Sequence, residues 1–332
     1  MNEPVTWLMP VKNGMPYIHL TLESIANQTY QNHSILVWEN GSTDGTVEEL
    51  RRWIPSRIPG TIITDRPLPM GASLAALVEV AKTELCGRAD ADDIHLPDRL
   101  QKQVAHLLAH PEIAALGTQA VLIGPQGDPT GGSWSCPLED AEARWRTRWL
   151  SPLIHPAVLF RRSAVLRAGN YKDVKSEDCD LWIRLCPYGE IYSLPDVLIH
   201  YRRHDASESG GYTDYFEGQL RSARNSAAHL FPPLRAEEAL ALWRVTHPEY
   251  IDDPGPRIHV RHVQQLSRAA TSLARICGKP DQYFKKTPTF RLQSYWLRRR
   301  VLERLGVSKL VDATRVFRRG AADNKPALPK VS

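Results

Sequence analysis

The chain has 332 residues, 42 Lys and Arg against 37 Asp and Glu, and a formal net charge of +5. With 42% hydrophobic and 24% charged residues it can bury a sizeable core, which excludes a disordered, collagen-like or small disulfide-stapled chain. No run approaches the ~20 apolar residues that span a bilayer, the first ten residues lack the pattern of a secretory leader, and five cysteines without a C-x-x-C pair imply a reduced, cytosolic setting.

The first hundred residues alternate short apolar runs with helical patterns. Residues 5–11 (VTWLMPV) predict a buried strand ending at Lys12-Asn13-Gly14. Ile18, Leu22, Ile25 and Ala26 share one helical face after Pro16. Residues 34–39 (SILVWE) form the second expected strand. The run 40–46 (NGSTDGT) then turns into a helix through Trp53, with Ser42 or Thr43 as its expected N-cap. A short strand at 61–64 and a helix over 72–81 follow. Residues 85–89 lead into Asp90-Ala91-Asp92-Asp93, and Pro97 opens a helix with Leu100, Val104, Leu107 and Leu108 on one face. This alternation predicts an α/β fold with a mostly parallel sheet, whose ligands sit at the C-terminal strand ends.

From 113 to 205 the pattern loosens. A strand pair or edge is expected at 113–123, a Gly/Pro turn region at 124–135, a strand at 157–160, helices at 162–168 and 177–185, and a strand at 191–201. Residues 207–211 form a Ser/Gly linker, and helices are expected over 212–230, 235–246, 257–277 and 290–305 before a Pro/Lys tail. The charge divides at the same place: the balance is −6 through residue 210 and +11 beyond it. Such asymmetry assigns different partners to the two halves.

The strongest local signal is the Asp90-Ala91-Asp92-Asp93 cluster. Three carboxylates within four residues repel one another unless a cation neutralises them. Oxygen ligands suit a hard divalent ion such as Mg²⁺ or Mn²⁺ bridging to phosphates. The plainer reading is a solvated turn in which Asp93 caps the next helix. A second cluster, Glu177-Asp178-Cys179-Asp180, opens a helix, where acidic residues complement the helix dipole. Asp178 and Asp180 diverge by about 200° at 3.6 residues per turn, so only one can face a cleft as a general base. His204 beside Arg202 and Arg203 forms a cationic cluster fit for an anionic diphosphate. Most of the nine Trp residues belong in the core, with Trp134, Trp145 and Trp149 as candidates to meet an acceptor. No G-x-G-x-x-G, P-loop, H-E-x-x-H or G-x-S-x-G pattern occurs.

Taken in order, the motifs resemble the inverting family 2 glycosyltransferases of the GT-A fold, of the type that builds bacterial cell-surface glycans. The resemblance is carried by residues 10–14 (PVKNG), 28–30 (QTY), 39–46 (ENGSTDGT) and 89–94 (ADADDI) with Pro97, Arg99, Leu100 and Gln103. It continues through His155-Pro156, 160–166 (FRRSAVL), Glu177-Asp178 with Asp180-Leu181-Trp182, and Tyr201-Arg202 with His204. It covers about residues 4–208. It implies a Rossmann-like catalytic domain at 1–208; beyond it the helical patterns and charge define a basic helical region at 209–332, its end from 320 onward expected to be disordered.

The resemblance also implies roles. Pro10, Asn13 and Glu39 lie against the nucleotide base and ribose. The family often has two acidic residues where this chain has Glu39-Asn40, and Glu39 can still accept from a uracil N3–H. Asp90 meets the ribose or a metal-bound water, and with Asp92 holds the metal that bridges the diphosphate. Asp178 is the base, supported by Glu177. Arg66, Arg88, Arg202 and His204 lie near the donor. The implied activity moves a sugar from a nucleoside-diphosphate donor, a UDP-sugar, to a glycan or lipid-linked acceptor with inversion. A non-catalytic nucleotide-sugar-binding or scaffold protein retaining the fold is the alternative. A nucleotidyltransferase would need a Gly-rich loop longer than Lys12-Asn13-Gly14.

Residues 285–319 carry eleven basic side chains, among them Lys285, Lys286, Arg291 and Arg298-Arg299-Arg300, against Glu303 and Asp312. This stretch fits peripheral contact with anionic lipid on the inner face of the cell membrane. Its apolar residues form no single stripe, so packing on the catalytic domain or on a partner is an equal reading. Nucleic-acid binding has no recognised module to support it.

Overall fold

The computed structural model describes residues 3–148, 150–205, 234–246 and 260–286, together with 290, 291, 294 and 297. The expected linker at 207–211, the helix at 212–230, Trp149, most of 290–305 and the tail from 320 lie outside the described residues. The first half follows the predicted alternation: β1 (Val5–Val11), α1 (Ile18–Ala26), β2 (His33–Glu39), α2 (Thr46–Trp53), β3 (Gly60–Ile63), α3 (Met70–Val80) and β4 (Leu85–Arg88). Every residue of β1 is buried, as expected of a central parallel strand covered on both faces. It pairs in parallel with β2 on one side and β4 on the other, and β3 extends the sheet beyond β2.

The second half comprises β5 (Ile94–His95), α4 (Arg99–Ala109), β6 (Ile113–Ile123), β7 (Pro129–Trp134), α5 (Asp140–Arg146), β8 (Leu159–Arg161), α6 (Arg162–Arg167), α7 (Glu177–Leu185) and β9 (Glu190–Arg202). The strand order is β3-β2-β1-β4-β8-β6-β9-β5, with β7 hairpinned onto β6. Here the sheet is mixed: β8 runs antiparallel to β4 and β6, while β6 and β9 are parallel. The segment 113–123, expected as a pair or an edge, is one long interior strand bonded to three partners. Its almost fully buried first half explains this, since such a run needs cover on both faces.

Two apolar layers sandwich the sheet. On one face Trp7 and Met9 pack with Ile18, Leu22 and Ile25 of α1 and Leu100, Val104 and Leu107 of α4. On the other, Leu8 packs with Leu74 and Leu77 of α3 and Leu181, Trp182 and Leu185 of α7.

A third cluster binds the C-terminal helices to this body. α8 (Ala236–Thr246) and α9 (Val260–Ile276) contribute Leu242, Trp243, Leu266, Ala270 and Leu273. They close over Trp145 of α5 and Ile183 of α7, joined by Phe284, Phe290 and Leu297. The Trp145 ring stacks on Phe284 with centroids 5.1 Å apart, and Glu139 accepts hydrogen bonds from Lys279 and Tyr283, both at 2.9 Å. Trp145, a sequence candidate for meeting an acceptor, is therefore a core residue, only 2% exposed. The described helices beyond residue 234 pack on α5 and α7 through apolar side chains of this cluster, and no described helix is long and apolar enough to cross a membrane. Truncating Trp145 to Ala should lower stability by about 3–5 kcal/mol, the usual cost of emptying a buried aromatic site. Urea unfolding followed by far-UV dichroism checks this, and a loss under about 1 kcal/mol would show that the cluster contributes little.

Candidate active site

The loops after β1, β2, β4 and β9 converge at one end of the sheet. The β1 loop turns at Asn13, whose φ of 54° lies in the left-handed region that Asn tolerates better than most residues. Its N–H donates to Ser42 Oγ at 2.8 Å, and its Oδ1 accepts from the Thr43 N–H at 2.9 Å. Glu39 Oε1 accepts from the Ser42 N–H at 2.6 Å. These bonds occupy the loop that was expected to cap α2. Gly45, at φ 91°, precedes the helix instead, and Asp44 Oδ1 accepts from the Thr46 hydroxyl and N–H. Burial opposes the Asp44 charge, but its hydrogen bonds with Thr46 and the Met15 N–H outweigh burial and hold its pKa below the usual value. Asn40 stands where a second acid is common in the resembling family. It is buried, donates to Ser73 Oγ at 3.1 Å and accepts from the Leu68 N–H at 2.8 Å, so it fastens β2 to the approach to α3. Pro10 is buried beside Val11 in β1. Arg66 is exposed, and its carbonyl accepts from Trp38 Nε1.

The acidic cluster after β4 is divided among separate partners. Arg88, buried at the end of β4, donates to Asp90 Oδ1 at 2.5 Å. His204 Nε2 lies 2.9 Å from Asp92 Oδ2. Asp93 is fully buried and accepts from the Arg202 N–H at 2.8 Å, while its own carbonyl accepts from Thr21. Asp93 thus caps no helix, because α4 begins only at Arg99 and the loop between is pulled under β9. Arg202 is buried too: its guanidinium donates to the carbonyls of Asp92, Gly124 and Pro125 and stacks 4.7 Å over the Tyr17 ring. Burial, then the Asp90 charge, pushes the Asp92 pKa up against the pull of His204. Burial pushes Asp93 well above the usual carboxylate range, with Asp92 and Asp90 adding to it.

The second acidic cluster heads α7. Ser176, left-handed at φ 60°, sets the helix start. Asp180 is fully buried and ion-paired with Arg184, so it anchors the helix. Asp178 is half-buried and turned elsewhere, with hydrogen bonds involving Ser151 and the Cys179 N–H. Burial raises its pKa above the ordinary carboxylate value despite those bonds. Glu177 Oε1 lies 3.5 Å from His155 Nδ1, and His155 Nε2 is 3.0 Å from the Tyr171 hydroxyl. Burial, with the nearby Arg88 charge, drives the His155 pKa well below normal. Burial works against the Arg88 charge, but Asp90, Tyr171 and Glu177 together raise its pKa. One buried guanidinium therefore couples both acidic clusters. Gly71 lets the segment before α7 lie against α3, since a Cβ there would stand 2.0 Å from the Lys172 carbonyl.

Oxygen and nitrogen donors meet at the strand ends. Asp92 Oδ2 and His204 Nε2 come together from two loops, and Asp90, two residues from Asp92 on the same loop, pairs with Arg88. Among the described residues no three His, Cys, Asp or Glu side chains form a group that could by itself hold a metal ion.

Three site residues have no motif of their own. Tyr17 packs against both Arg202 and His204, its ring 4.8 Å from the imidazole. Tyr171 bonds His155, and Ser151 supports Asp178. Each comes from a loop distant in sequence, and only its aromatic or hydroxyl character in a Pro- or Gly-flanked turn could have marked it.

Comparison with known proteins gives this geometry a family. The sequence profile described as Glycosyl transferase family 2 matches residues 6–167. The amylovoran biosynthesis glycosyltransferase AmsE of Erwinia amylovora is 30% identical over 185 residues, covering 54% of this chain and 68% of AmsE. The O-antigen biosynthesis glycosyltransferase WbnJ of Escherichia coli is 26% identical over 234 residues, 66% of this chain and 87% of WbnJ. Among solved structures, residues 1–349 of S. aureus TarS in complex with UDP-GlcNAc superpose with a TM-score of 0.58 at 15% identity, covering 94% of this chain and 92% of that one. The fold is GT-A, and the chain belongs to the family 2 glycosyltransferases.

Proposed function

We propose that this glycosyltransferase moves a sugar from a UDP-sugar to a hydroxyl of a glycan or lipid-linked acceptor of the cell-surface type, inverting the anomeric configuration. The observation that carries the reading is Asp178: a half-buried carboxylate at the head of α7, raised in pKa, whose helix is anchored independently by Asp180 and Arg184. The UDP-GlcNAc complex of TarS and the biosynthetic roles named for AmsE and WbnJ support the donor and the acceptor class. In this reading the catalytic domain spans residues 1–208 and the basic helical region 209–332 is an extension of it. The charge of 285–319 supports an anionic partner, a membrane surface included.

The chemistry runs as follows. Asn13 and Glu39, held together through Ser42, orient the base and ribose. Asp92 and Asp90 would hold Mg²⁺ or Mn²⁺, which when bound supplies a Lewis acid for the diphosphate, and His204 beside Asp92 faces the same anionic group. Asp178 takes the proton of the acceptor hydroxyl as its oxygen bonds to the anomeric carbon. The bond from that carbon to the diphosphate breaks on the opposite face, so the nucleoside diphosphate leaves and the configuration inverts. Arg88 fixes Asp90 through an ion pair and lies within electrostatic reach of Glu177, between the two acidic clusters. General-base help of this kind is worth ~10²–10⁴-fold.

Asp178→Asn should lower transfer by at least about 10²-fold while leaving calorimetric UDP affinity within about twofold; near-full transfer would assign the base elsewhere. The pH profile follows from the same group. Asp178 accepts a proton only when ionised, and its pKa is raised, so kcat/KM should climb with pH through a limb displaced above the ordinary aspartate value of about 3.9. A limb at or below that value would mean that another group limits the rate. Asp92→Ala should weaken UDP binding about tenfold in the presence of Mn²⁺ and leave it unchanged in its absence. Titration calorimetry with and without Mn²⁺ reads this directly, and equal loss in both conditions would remove Asp92 from the metal site.

A further inference from the structure

Trp134 closes β7 with 39% of its surface exposed, on a hairpin strand that is itself almost wholly exposed. An indole placed there is not needed by the core. Its neighbours define where it stands. Trp134 pairs with Ala120 of β6, which pairs with Ile199 of β9, and Tyr201 lies two residues further on. Side chains of directly paired residues share a face, so these four project together. The Trp134 ring meets the Tyr201 ring edge-on, with centroids 5.6 Å apart and planes 76° apart.

Beneath them is a small cluster of Ala120, Cys136, Ile154, Ala157 and Ile199, with Tyr201 packed against it. Ile154 and Ala157 bracket His155, the partner of Glu177 beside the base. In the other direction Tyr201 leads directly into Arg202 and His204, which hold the Asp92 loop. Trp134 thus stands on a wall joining the metal loop to the base loop. Strands β4 and β8 separate that wall from β1, whose loop faces the nucleotide.

We propose that Trp134, braced by Tyr201, is a stacking platform for a pyranose ring of the acceptor. The inference rests on the assignment of Asp178 as base, because the acceptor must lie on the side of the group that takes its proton. A flat indole matches the apolar C–H face of a sugar while its N–H donates at the rim, and the ring hydroxyls stay in water. The platform carries no charge, so it selects a neutral sugar ring rather than a phosphate, and it discriminates by the shape of that face.

The test uses the full chain with UDP and Mn²⁺ and a panel of methyl pyranosides (glucose, galactose, mannose and N-acetylglucosamine, both anomers). Saturation-transfer NMR should show contact through ring C–H protons with at least one glycoside. Trp134→Ala should abolish that signal and raise the acceptor KM about tenfold, and Trp134→Phe should retain part of both. A calorimetric UDP affinity equal to that of the unaltered chain separates loss of a subsite from misfolding. Unchanged saturation transfer and KM in Trp134→Ala, or no contact with any glycoside in the unaltered chain, would overturn the proposal. Trp134-dependent contact combined with full transfer by Asp178→Asn would uphold the platform and overturn the base.

Discussion

The site depends on containing the charge of residues 90–93. Three carboxylates on one short loop would drive it apart, and each is met by a different group: Asp90 by Arg88 just before it, Asp92 and Asp93 by His204 and the N–H of Arg202 at the end of β9. Arg88 is held from behind. Arg99 donates to the Arg88 and Val158 carbonyls and to Gln103, lies against His95 Nδ1 and stacks 4.8 Å over Trp7 in the centre of β1. Burial lowers the Arg99 pKa to about 9 and drives His95 well below its usual value, as expected where cations crowd a dry interior. Removing one member of such a network leaves an uncompensated buried charge, at a cost of about 3–5 kcal/mol. The loop therefore keeps its place because the core would have to open before it could move.

Asp178, the proposed base, is held by a separate device on the other side of Arg88. Asp180 and Arg184 lock α7, Arg184 also reaches the Ala168 carbonyl at the end of α6, and Ser176 turns the chain into the helix. Asp178 is thereby held at the head of the helix, where burial raises its pKa and bonds with Ser151 and the Cys179 N–H oppose it. The same helix carries Ile183 into the cluster with α8 and α9. The C-terminal helices consequently brace the element that carries Asp178, and the wall with Trp134 begins just before α5, the other helix they cover.

Much of the fold was legible because periodicity is a local property. The buried run of β1, the face of α4, and α7 with its bounds at Glu177 and Leu185 follow from spacing alone. The divergence of Asp178 and Asp180 also follows from helical geometry, and the buried Asp180–Arg184 pair bears it out. The sheet was less legible. Reversal of β8 between β4 and β6, and the interior place of β6, depend on which strands meet, and strand pairing leaves little trace in a single strand's composition.

The site divides in the same way. The sequence by itself determined the family, the strand-end loops and the carboxylates, since these are short motifs whose chemistry is carried by adjacent residues. Only the tertiary structure decided what each charged group does. It buried Arg202 against backbone carbonyls, set Asp93 under β9, gave Ser42 to Asn13 rather than to a helix cap, and sent Trp145 into the core while leaving Trp134 in water. The reason is physical: a side chain's role depends on the dielectric around it and on partners up to about a hundred residues away, as with Asp92 and His204, and both are fixed only when the chain closes on itself.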